Sequence, residues 1–346
     1  MAVFLGGRDR WRFLAGPATS LRHTRLHSER LASANASHVL ATAPLQSGGT
    51  VLKCLDSRAP RSQFTMFSAQ NVAIIGVGLI GGSIGLALEE RRLAGEIVGV
   101  GRRQASLDKA LARGAIGRAT TDIAAGVAGA DLVIVATPVA EIVEIVCRAL
   151  ALAPAGALVT DAGSTKAAIC DGVAAQSSDS RRFVGSHPLA GDHRTGAEHA
   201  RANLFADKTV VVTPGASTAE RTTSQVEEFW QSLGAHVARM APNEHDQAVA
   251  ATSHLPHLVA AALAASTPAK WLALTATGWA DTTRVAGGDP TLWTQIFAQN
   301  TPDLLAALDR LVATLEQTRE SLVAADWTQT EEHLARAKRI RDALGN

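Results

Sequence analysis

Three glycines in the first third of the chain have the spacing of a phosphate-binding loop. Gly76, Gly78 and Gly81 form the pattern G-x-G-x-x-G, with Leu79 and Ile80 at the two positions before the last glycine. In a dinucleotide site the first glycine permits a tight turn, the second lets backbone approach the pyrophosphate, and the third lets helix and strand pack closely. The N-terminus of the following helix then binds the phosphates. The pattern therefore predicts an NAD or NADP site.

The sequence around this loop favours a strand–turn–helix–strand unit. The apolar run Val72–Ile75 precedes the loop, and a second apolar run, Ile97–Val100, follows the predicted helix. A membrane span is an alternative, because Phe67–Leu88 carries no charge. Its five glycines and the charged run Glu89–Arg92 that ends it favour a soluble unit instead. A glycine turn without a ligand is the other alternative, and the flanking strands count against it.

The end of the second strand predicts the preferred dinucleotide. NAD sites usually place a carboxylate about 20 residues beyond the loop to bind the ribose 2′-OH, whereas NADP sites offer arginine. The corresponding position here is Gly101, and Arg102 and Arg103 follow it. Two guanidinium groups could bind a 2′-phosphate. The sequence therefore predicts NADP as the preferred cofactor, with NAD as the alternative.

Short polar turns follow the later predicted strands. They are Thr137 with Pro138, the turn Asp161–Ser164, and the turn Ser186–Pro188, which contains His187. In open α/β sheets ligands bind beyond the carboxyl ends of the strands. We therefore expect these turns to surround the nicotinamide.

The elements that must position these residues alternate between strands and helices over residues 66–240. This alternation predicts an α/β fold, a doubly wound and mostly parallel dinucleotide-binding sheet. An all-helical C-terminal domain is predicted for residues 241–346, where Leu304, Leu308, Leu311, Leu315 and Leu322 form an apolar stripe at helical spacing. Such a stripe is typical of a protein core. In so small a helical domain we also expect it to serve a homodimer.

Residues 1–65 differ from the rest of the chain. Six arginines between Arg8 and Arg30 are mixed with Ser, Thr, His and Gly, without a sustained apolar period. The segment is predicted to be a disordered leader or sequence upstream of the true start, with Met66 beginning the folded part. A transit peptide is the alternative.

Composition limits the class of protein further. The chain has 346 residues, 47% hydrophobic residues and a net charge of +1, which gives no indication of a nucleic-acid partner. Cys54, Cys147 and Cys170 are scattered, so neither a disulfide framework nor a zinc site is predicted. A cytoplasmic protein without a membrane anchor fits best.

Four segments in order carry a specific resemblance. The chain resembles the prephenate and arogenate dehydrogenase family of tyrosine biosynthesis from about Val72 to Asn300. The segments are Thr160–Lys166, Gly185–Gly191, Ser253–His257, and Asp281–Ala286 with Asp289–Trp293 beyond it. The resemblance implies an oxidoreductase that removes hydride from C4 of a cyclohexadiene while the ring carboxylate leaves as CO2. Prephenate would give 4-hydroxyphenylpyruvate, and arogenate would give tyrosine.

The resemblance also implies roles for single residues. His187 matches the base that accepts the C4 hydroxyl proton, a task that suits neutral imidazole near pH 7. Ser164 matches the serine that binds the C4 hydroxyl region. Arg284 matches the arginine that binds a substrate carboxylate, and His257 matches a substrate-binding histidine.

One loop departs from the family pattern. Asp192, His193 and Arg194 stand where many relatives have a small polar residue followed by Glu. We therefore expect Asp192 to contact substrate, and the choice between prephenate and arogenate stays open. A metal bound by His254 and His257 is not expected, because no ligand partner is near in sequence. The alternative functions are a β-hydroxyacid dehydrogenase and a module that senses NAD(P) without catalysis.

Overall fold

A computed structural model of the protein describes residues 67–191 and 194–345. The predicted leader, residues 1–65, and the predicted substrate residue Asp192 lie outside these ranges. The described residues belong to one compact unit. The predicted boundary at residue 240 falls between the last strand and the first helix of the C-terminal part, and the division into two domains remains a prediction.

Eight strands form one sheet in the order β3-β2-β1-β4-β5-β6-β7-β8. All neighbours are parallel except β6 and β7, which are antiparallel. Most inner strands contain short runs of Val, Ile or Leu because helices cover both of their faces. The strands are β1 Ala69–Ile75, β2 Ala94–Val100, β3 Arg118–Thr120, β4 Leu132–Val135, β5 Leu158–Asp161, β6 Phe183–Pro188, β7 Thr209–Pro214 and β8 His236–Arg239.

Helices cover both faces of the sheet, and only helices follow the last strand in the described chain, as the sequence predicted. The helices of the sheet region are α1 Leu79–Glu90, α2 Gln104–Ala112, α3 Ile123–Val127, α4 Ile142–Leu152, α5 Ala167–Gln176 and α6 Glu220–Ser232. The C-terminal helices are α7 Pro242–Val249, α8 Leu255–Ser266, α9 Thr277–Thr283, α10 Pro290–Gln299, α11 Thr301–Val323 and α12 Trp327–Asp342. The predicted fold class is confirmed.

The hydrophobic core consists of one cluster on each face of the sheet. Helices α1, α2 and α6 pack on one face, where Trp230 is fully buried. Helices α3, α4 and α5 pack on the other face. Ile296 of α10 joins this second cluster, and Trp293 and Phe297 pack against it. The C-terminal helices are therefore docked on the sheet rather than attached only by the chain.

Two edge strands, β3 and β8, were not predicted. Arg118–Thr120 has three residues, and His236–Arg239 has exposed residues at both ends and half-buried residues between them. Neither contains the continuous apolar run that identifies an inner strand. They form because the edges of the existing sheet offer free backbone groups for pairing.

Helices α7 and α8 are joined by a π-helical turn, Ala250–His254. Pro256 lies in the first turn of α8, and it would clash with the carbonyl of Thr252 in an uninterrupted α-helix. A wider turn removes this clash, and such turns are frequent at functional sites. The turn contains His254 and places His257 one turn further along the helix.

The helical segment Pro242–Ser266 is the one stretch within the described ranges that could cross a membrane by length and composition. It nevertheless buries His245, Asp246 and His254. Asp246 binds backbone N–H groups at the start of α5. Ionisable groups of this kind are costly in a bilayer. These buried ionisable groups therefore count against a membrane span.

The predicted stripe on α11 is only partly covered by the chain itself. Leu304 is buried, whereas Leu315 is 58% exposed and Leu322 is 51% exposed. The helix begins at Thr301 with Asn300 as its N-cap. Its first half therefore packs on the core, and its second half presents leucines to solvent in the single chain.

Candidate active site

The glycine loop has the close approaches that its spacing predicted. Gly76 has φ +95°, and a Cβ there would lie 2.6 Å from the carbonyl oxygen of Ala136. A Cβ on Gly81 would lie 2.0 Å from the carbonyl oxygen of Gly76, so helix and strand can approach only without a side chain. A Cβ on Gly78 would meet nothing within 4 Å. The open space above Gly78 is where a pyrophosphate could approach.

The start of α1 is suited to an anion. Gly78 is the N-cap, no side chain caps the helix, and its first turn holds no acidic residue. The N–H groups of Leu79, Ile80 and Gly81 therefore lack intrahelical acceptors, as at every helix N-terminus. Leu79 is buried and Ile80 is half-buried, which anchors this turn on the core. The loop fits the phosphates of a dinucleotide.

The arginines after β2 have a partner that the sequence did not indicate. Arg102 donates a hydrogen bond to Glu141, 2.8 Å from Nη1 to Oε1, and 80% of the Arg102 side chain is exposed. Glu141 belongs to the 3-10 turn Val139–Glu141, which follows Pro138 at the end of β4. Arg103 is the N-cap residue of α2. A 2′-phosphate at Arg102 would therefore compete with a carboxylate.

The turn after β4 contributes a polar atom without a partner. The Thr137 hydroxyl is one of three buried side-chain polar atoms in the described part of the chain that make no hydrogen bond; the others are His257 Nδ1 and Gln295 Oε1. An unpaired buried polar group costs about 1–3 kcal/mol, so its retention needs a reason. Thr137 lies beside Gly76 of the glycine loop, where a bound dinucleotide could provide that partner.

A buried carboxylate joins the ends of β5 and β6. Asp161 forms an ion pair with Lys166, and both side chains are fully buried. Its two oxygens also accept the N–H groups of Gly163 at 2.8 Å and Ser186 at 3.0 Å. Asp161 thereby fixes the turn that carries Ser164 against the strand that carries His187. Ser164 is half-buried in this turn.

His187 is held by two residues that the sequence analysis did not select. Its Nδ1 lies 2.8 Å from Nε2 of His245, and Nδ1 of His245 lies 2.7 Å from Oδ1 of Asp246. Asp246 also accepts the N–H groups of Lys166 at 2.8 Å and Ala167 at 2.9 Å. His245 and Asp246 belong to α7, and an adjacent His-Asp pair in one helix carries no distinctive signal in the sequence.

Burial controls the charge of these groups. It lowers the pKa of His187 well below its ordinary value of 6.5, and the neighbouring His245 and Lys166 act in the same direction. Burial also lowers the pKa of His254, to about 4. For Asp246 burial alone would raise the pKa, but hydrogen bonds from His245 and from two backbone N–H groups outweigh it, so the pKa is lowered. His187 is therefore neutral and Asp246 ionised near pH 7.

His257 of α8 forms an aromatic surface with Trp293 and Phe297 of α10. Its ring stacks on Trp293 with centroids 3.6 Å apart and an interplanar angle of 15°. Burial lowers the pKa of His257, and its Nδ1 has no hydrogen-bond partner. His254 differs, since its Nδ1 lies 3.2 Å from the side-chain amide of Asn300. Nδ1 of His257 is thus buried without a partner, whereas Nδ1 of His254 is engaged within the protein.

Arg284 is exposed at the start of the 3-10 turn Arg284–Gly287. Gly288, which follows this turn, packs against His257 and Trp293. A Cβ at Gly288 would lie 2.9 Å from the His257 ring and 2.5 Å from the Trp293 ring. The fold thereby brings the turn of Arg284 to the His257 surface. The loop with Asp192 is outside the described ranges. No group of three or more metal-ligand side chains occurs in the part of the chain that the structure covers.

Comparisons with known proteins identify the family of the chain. Residues 84–239 match the model of the prephenate dehydrogenase nucleotide-binding domain, and residues 241–336 match that of the prephenate dehydrogenase dimerization domain. A prephenate dehydrogenase of Bacillus subtilis is 33% identical over 286 residues, which cover 79% of this chain and 76% of that protein. A cyclohexadienyl dehydrogenase of Zymomonas mobilis is 31% identical over 287 residues, or 80% of this chain and 96% of that protein.

Solved structures show the same similarity. The prephenate dehydrogenase of A. aeolicus in complex with hydroxyphenyl propionate and NAD+ has a TM-score of 0.75 and 31% identity, covering 80% of this chain and 99% of that one. Synechocystis arogenate dehydrogenase has a TM-score of 0.70 and 30% identity, covering 80% and 100%. The chain therefore belongs to the prephenate and arogenate dehydrogenase family of oxidoreductases in tyrosine biosynthesis.

Proposed function

We propose that the protein catalyses the oxidative decarboxylation of prephenate or arogenate with hydride transfer to NAD+ or NADP+. The observation that supports this most is the position of His187. Its imidazole lies near the end of β6, beside the Ser164 turn. The glycine loop also lies at the carboxyl ends of these parallel strands. The direct test is the appearance of reduced nicotinamide with prephenate and, separately, with arogenate, each with NAD+ and NADP+.

In the proposed reaction the chain supplies a base and a set of binding groups. Nε2 of His187 accepts the C4 hydroxyl proton as hydride leaves C4. Cleavage of the bond to the ring carboxylate then releases CO2 and leaves its electron pair in the ring, which becomes aromatic. His187 returns the proton to the phenolate oxygen. Ser164 orients the C4 hydroxyl, while Arg284 and His257 bind the carboxylate end of the substrate.

The nicotinamide ring would accept the hydride, and this chain's residues are suited to hold that cofactor. We propose that Gly76, Gly78 and the first turn of α1 bind the pyrophosphate, and that Thr137 and Pro138 lie near the nicotinamide half. The buried, unpaired Thr137 hydroxyl and the open space at Gly78 support this. Substrate choice is proposed to depend on the loop of Asp192, since a carboxylate could bind the amino group of arogenate.

We propose NADP as the preferred cofactor, because Arg102 and Arg103 follow β2 and no carboxylate occupies position 101. Replacing both arginines with Ala should raise the KM for NADP at least about tenfold, since charge-assisted hydrogen bonds contribute about 1.5–3 kcal/mol each. The KM for NAD should stay nearly unchanged. Gly101→Asp should reverse the preference. Steady-state kinetics with both cofactors measure this.

Glu141 provides a second test of the proposed NADP preference. Its bond to Arg102 opposes phosphate binding, so Glu141→Gln should lower the KM for NADP without affecting NAD. A wild-type preference for NAD, or a double alanine variant that loses nothing with NADP, would show that both arginines are only solvated side chains at a strand end.

The pH dependence of kcat/KM should reflect the lowered pKa of His187. The base must be neutral, so activity is present above its pKa and is lost as pH falls through it. The groups that face His187 are His245 from α7, Lys166 before α5 and His254 from the π turn, and each lowers the pKa. We therefore expect kcat/KM to stay constant as pH falls from 7 to 6.5, and to decrease only in more acidic buffer. A half-maximal value at pH 6.5 or above would contradict this.

We further propose a cytoplasmic homodimer formed through the C-terminal helices. The description of the matching C-terminal family model as a dimerization domain supports the dimer. The exposed large apolar side chains also support the dimer. Within the described ranges, all of them except Leu111, Leu152 and Leu189 lie in the C-terminal part beyond residue 240. Sedimentation equilibrium should give twice the mass of one chain, and a mass equal to one chain at micromolar concentration would contradict it.

A further inference from the structure

His187, His245 and Asp246 form a chain of hydrogen bonds that runs from the proposed base into the interior. His245 is 0% exposed and Asp246 is 1% exposed. The two contacts, 2.8 Å and 2.7 Å, use both nitrogens of His245 and only Nδ1 of His187. Nε2 of His187 is left as the nitrogen that can face substrate.

The donors around Asp246 determine where the hydrogens lie. Its oxygens accept the N–H groups of Lys166 and Ala167 at the start of α5, and this helix N-terminus stabilises a carboxylate. A proton on the carboxyl group would point at one of these donors. Asp246 is therefore an acceptor only, so Nδ1 of His245 must carry the hydrogen in their contact.

The contact with His187 uses the other nitrogen of His245, Nε2. In neutral His245, with its hydrogen on Nδ1, Nε2 has only a lone pair and must accept. The donor in the contact with His187 is consequently Nδ1–H of His187.

We propose that Asp246, acting through His245, fixes His187 as the tautomer with hydrogen on Nδ1 and a lone pair on Nε2. This inference rests on the proposed function, in which Nε2 of His187 is the proton acceptor. His245 and Asp246 are positioning residues and do not contact the reacting atoms. When Nε2 accepts the substrate proton, the bond from Nδ1–H to His245 holds the imidazolium in place.

The proposed chain of hydrogen bonds also makes the tautomer of His187 depend on how α7 docks on the sheet. His187 belongs to the sheet, whereas His245 and Asp246 belong to α7. Asp246 binds the N-terminus of α5 and so fixes α7 against the sheet. The correct tautomer therefore exists only when α7 is docked on the sheet.

Two substitutions of His245 separate positioning from packing. His245→Phe keeps a ring but leaves Nδ1 of His187 without an acceptor, so the hydrogen can move to Nε2. We expect kcat to fall at least about 100-fold, because groups that orient a functional histidine contribute about 10-fold to 10⁴-fold, while the KM and cofactor affinity change little. His245→Gln retains an acceptor for His187 and a donor for Asp246, so its kcat should stay within about tenfold of wild type.

A matched control is available on the sheet. His236 is an exposed histidine on β8, two strands from β6 in the sheet, and its Nε2 lies 3.9 Å from a carboxylate oxygen of Asp207. His236→Phe should leave kcat unchanged. Thermal melting of all variants reports whether a loss of activity follows from loss of the fold.

The deciding measurement is the 15N NMR spectrum of histidine-labelled protein, with the His187 signals assigned from His187→Asn. We expect Nδ1–H and a bare Nε2 in wild type and in His245→Gln, and a population with Nε2–H in His245→Phe. Nε2–H in wild type, or unchanged kcat and tautomer in His245→Phe, would overturn the proposal. If His187→Asn keeps full kcat while wild type shows Nδ1–H, the base assignment fails and the positioning chain stands. Should His245→Phe not fold, the wild-type and Gln spectra still decide.

Discussion

His187→Asn should lower kcat at least about 100-fold while leaving cofactor affinity nearly unchanged, because loss of a general base typically costs 10²–10⁴-fold. The asparagine amide can still occupy the site, but it cannot accept a proton from the C4 hydroxyl. The proposed dinucleotide loop follows β1, which lies three strands from β6 in the sheet. Steady-state kinetics with saturating cofactor measure kcat, and fluorescence titration measures cofactor binding.

The control for this substitution is His236→Asn, which makes the same change at an exposed histidine on β8. Its kcat should equal that of wild type. Full kcat at pH 7 in His187→Asn would remove His187 from the mechanism, and a parallel loss of cofactor affinity would indicate a disturbed fold instead.

Lys166→Met should lower the free energy of unfolding by about 3–5 kcal/mol, the usual cost of leaving one partner of a buried ion pair without the other. Lys166 and Asp161 are both fully buried. Methionine fills most of the lysine volume, so the loss comes from the uncompensated charge rather than from a cavity. Urea unfolding followed by circular dichroism measures the difference.

The exposed pair of Lys338 and Asp342 on α12 provides the comparison, since 75% and 58% of these side chains are exposed. Lys338→Met should change the free energy of unfolding by less than about 0.5 kcal/mol. If Lys166→Met were as harmless, the N–H groups of Gly163 and Ser186 would be sufficient to stabilise the Asp161 carboxylate without a cation.

Much of the fold followed from local patterns in the sequence. The strand at Val72–Ile75, the glycine loop and helix α1 were predicted together because apolar runs, turn glycines and helix starts are encoded by neighbouring residues. Ser164 lies in a turn beyond β5, as the same patterns predicted. The predicted turn Ser186–Pro188 was wrong, because these residues pair with β7 and His187 therefore lies within β6. The chemical roles of Ser164 and His187 came from the resemblance to the family rather than from spacing, and they remain proposals.

The edge strands show where local patterns fail. Arg118–Thr120 and His236–Arg239 have no apolar periodicity, and they became strands only because an existing sheet offered an edge. The stripe on α11 is a related case. Its spacing predicted an apolar face, but only the packed chain shows that this face leaves the core between Leu304 and Leu315.

By itself, the sequence determined a dinucleotide loop, a mostly parallel sheet and helical C-terminal elements, because each depends on residues within a few positions of one another. Only the tertiary structure decided which distant side chains meet. Docking of α7 on the sheet places His245 against His187, and the turn after β4 places Glu141 against Arg102. The stack of His257 on Trp293 depends on how α8 and α10 pack. Each of these contacts joins residues tens of positions apart, and no local preference specifies them, since their geometry is set by how whole helices bury their apolar faces.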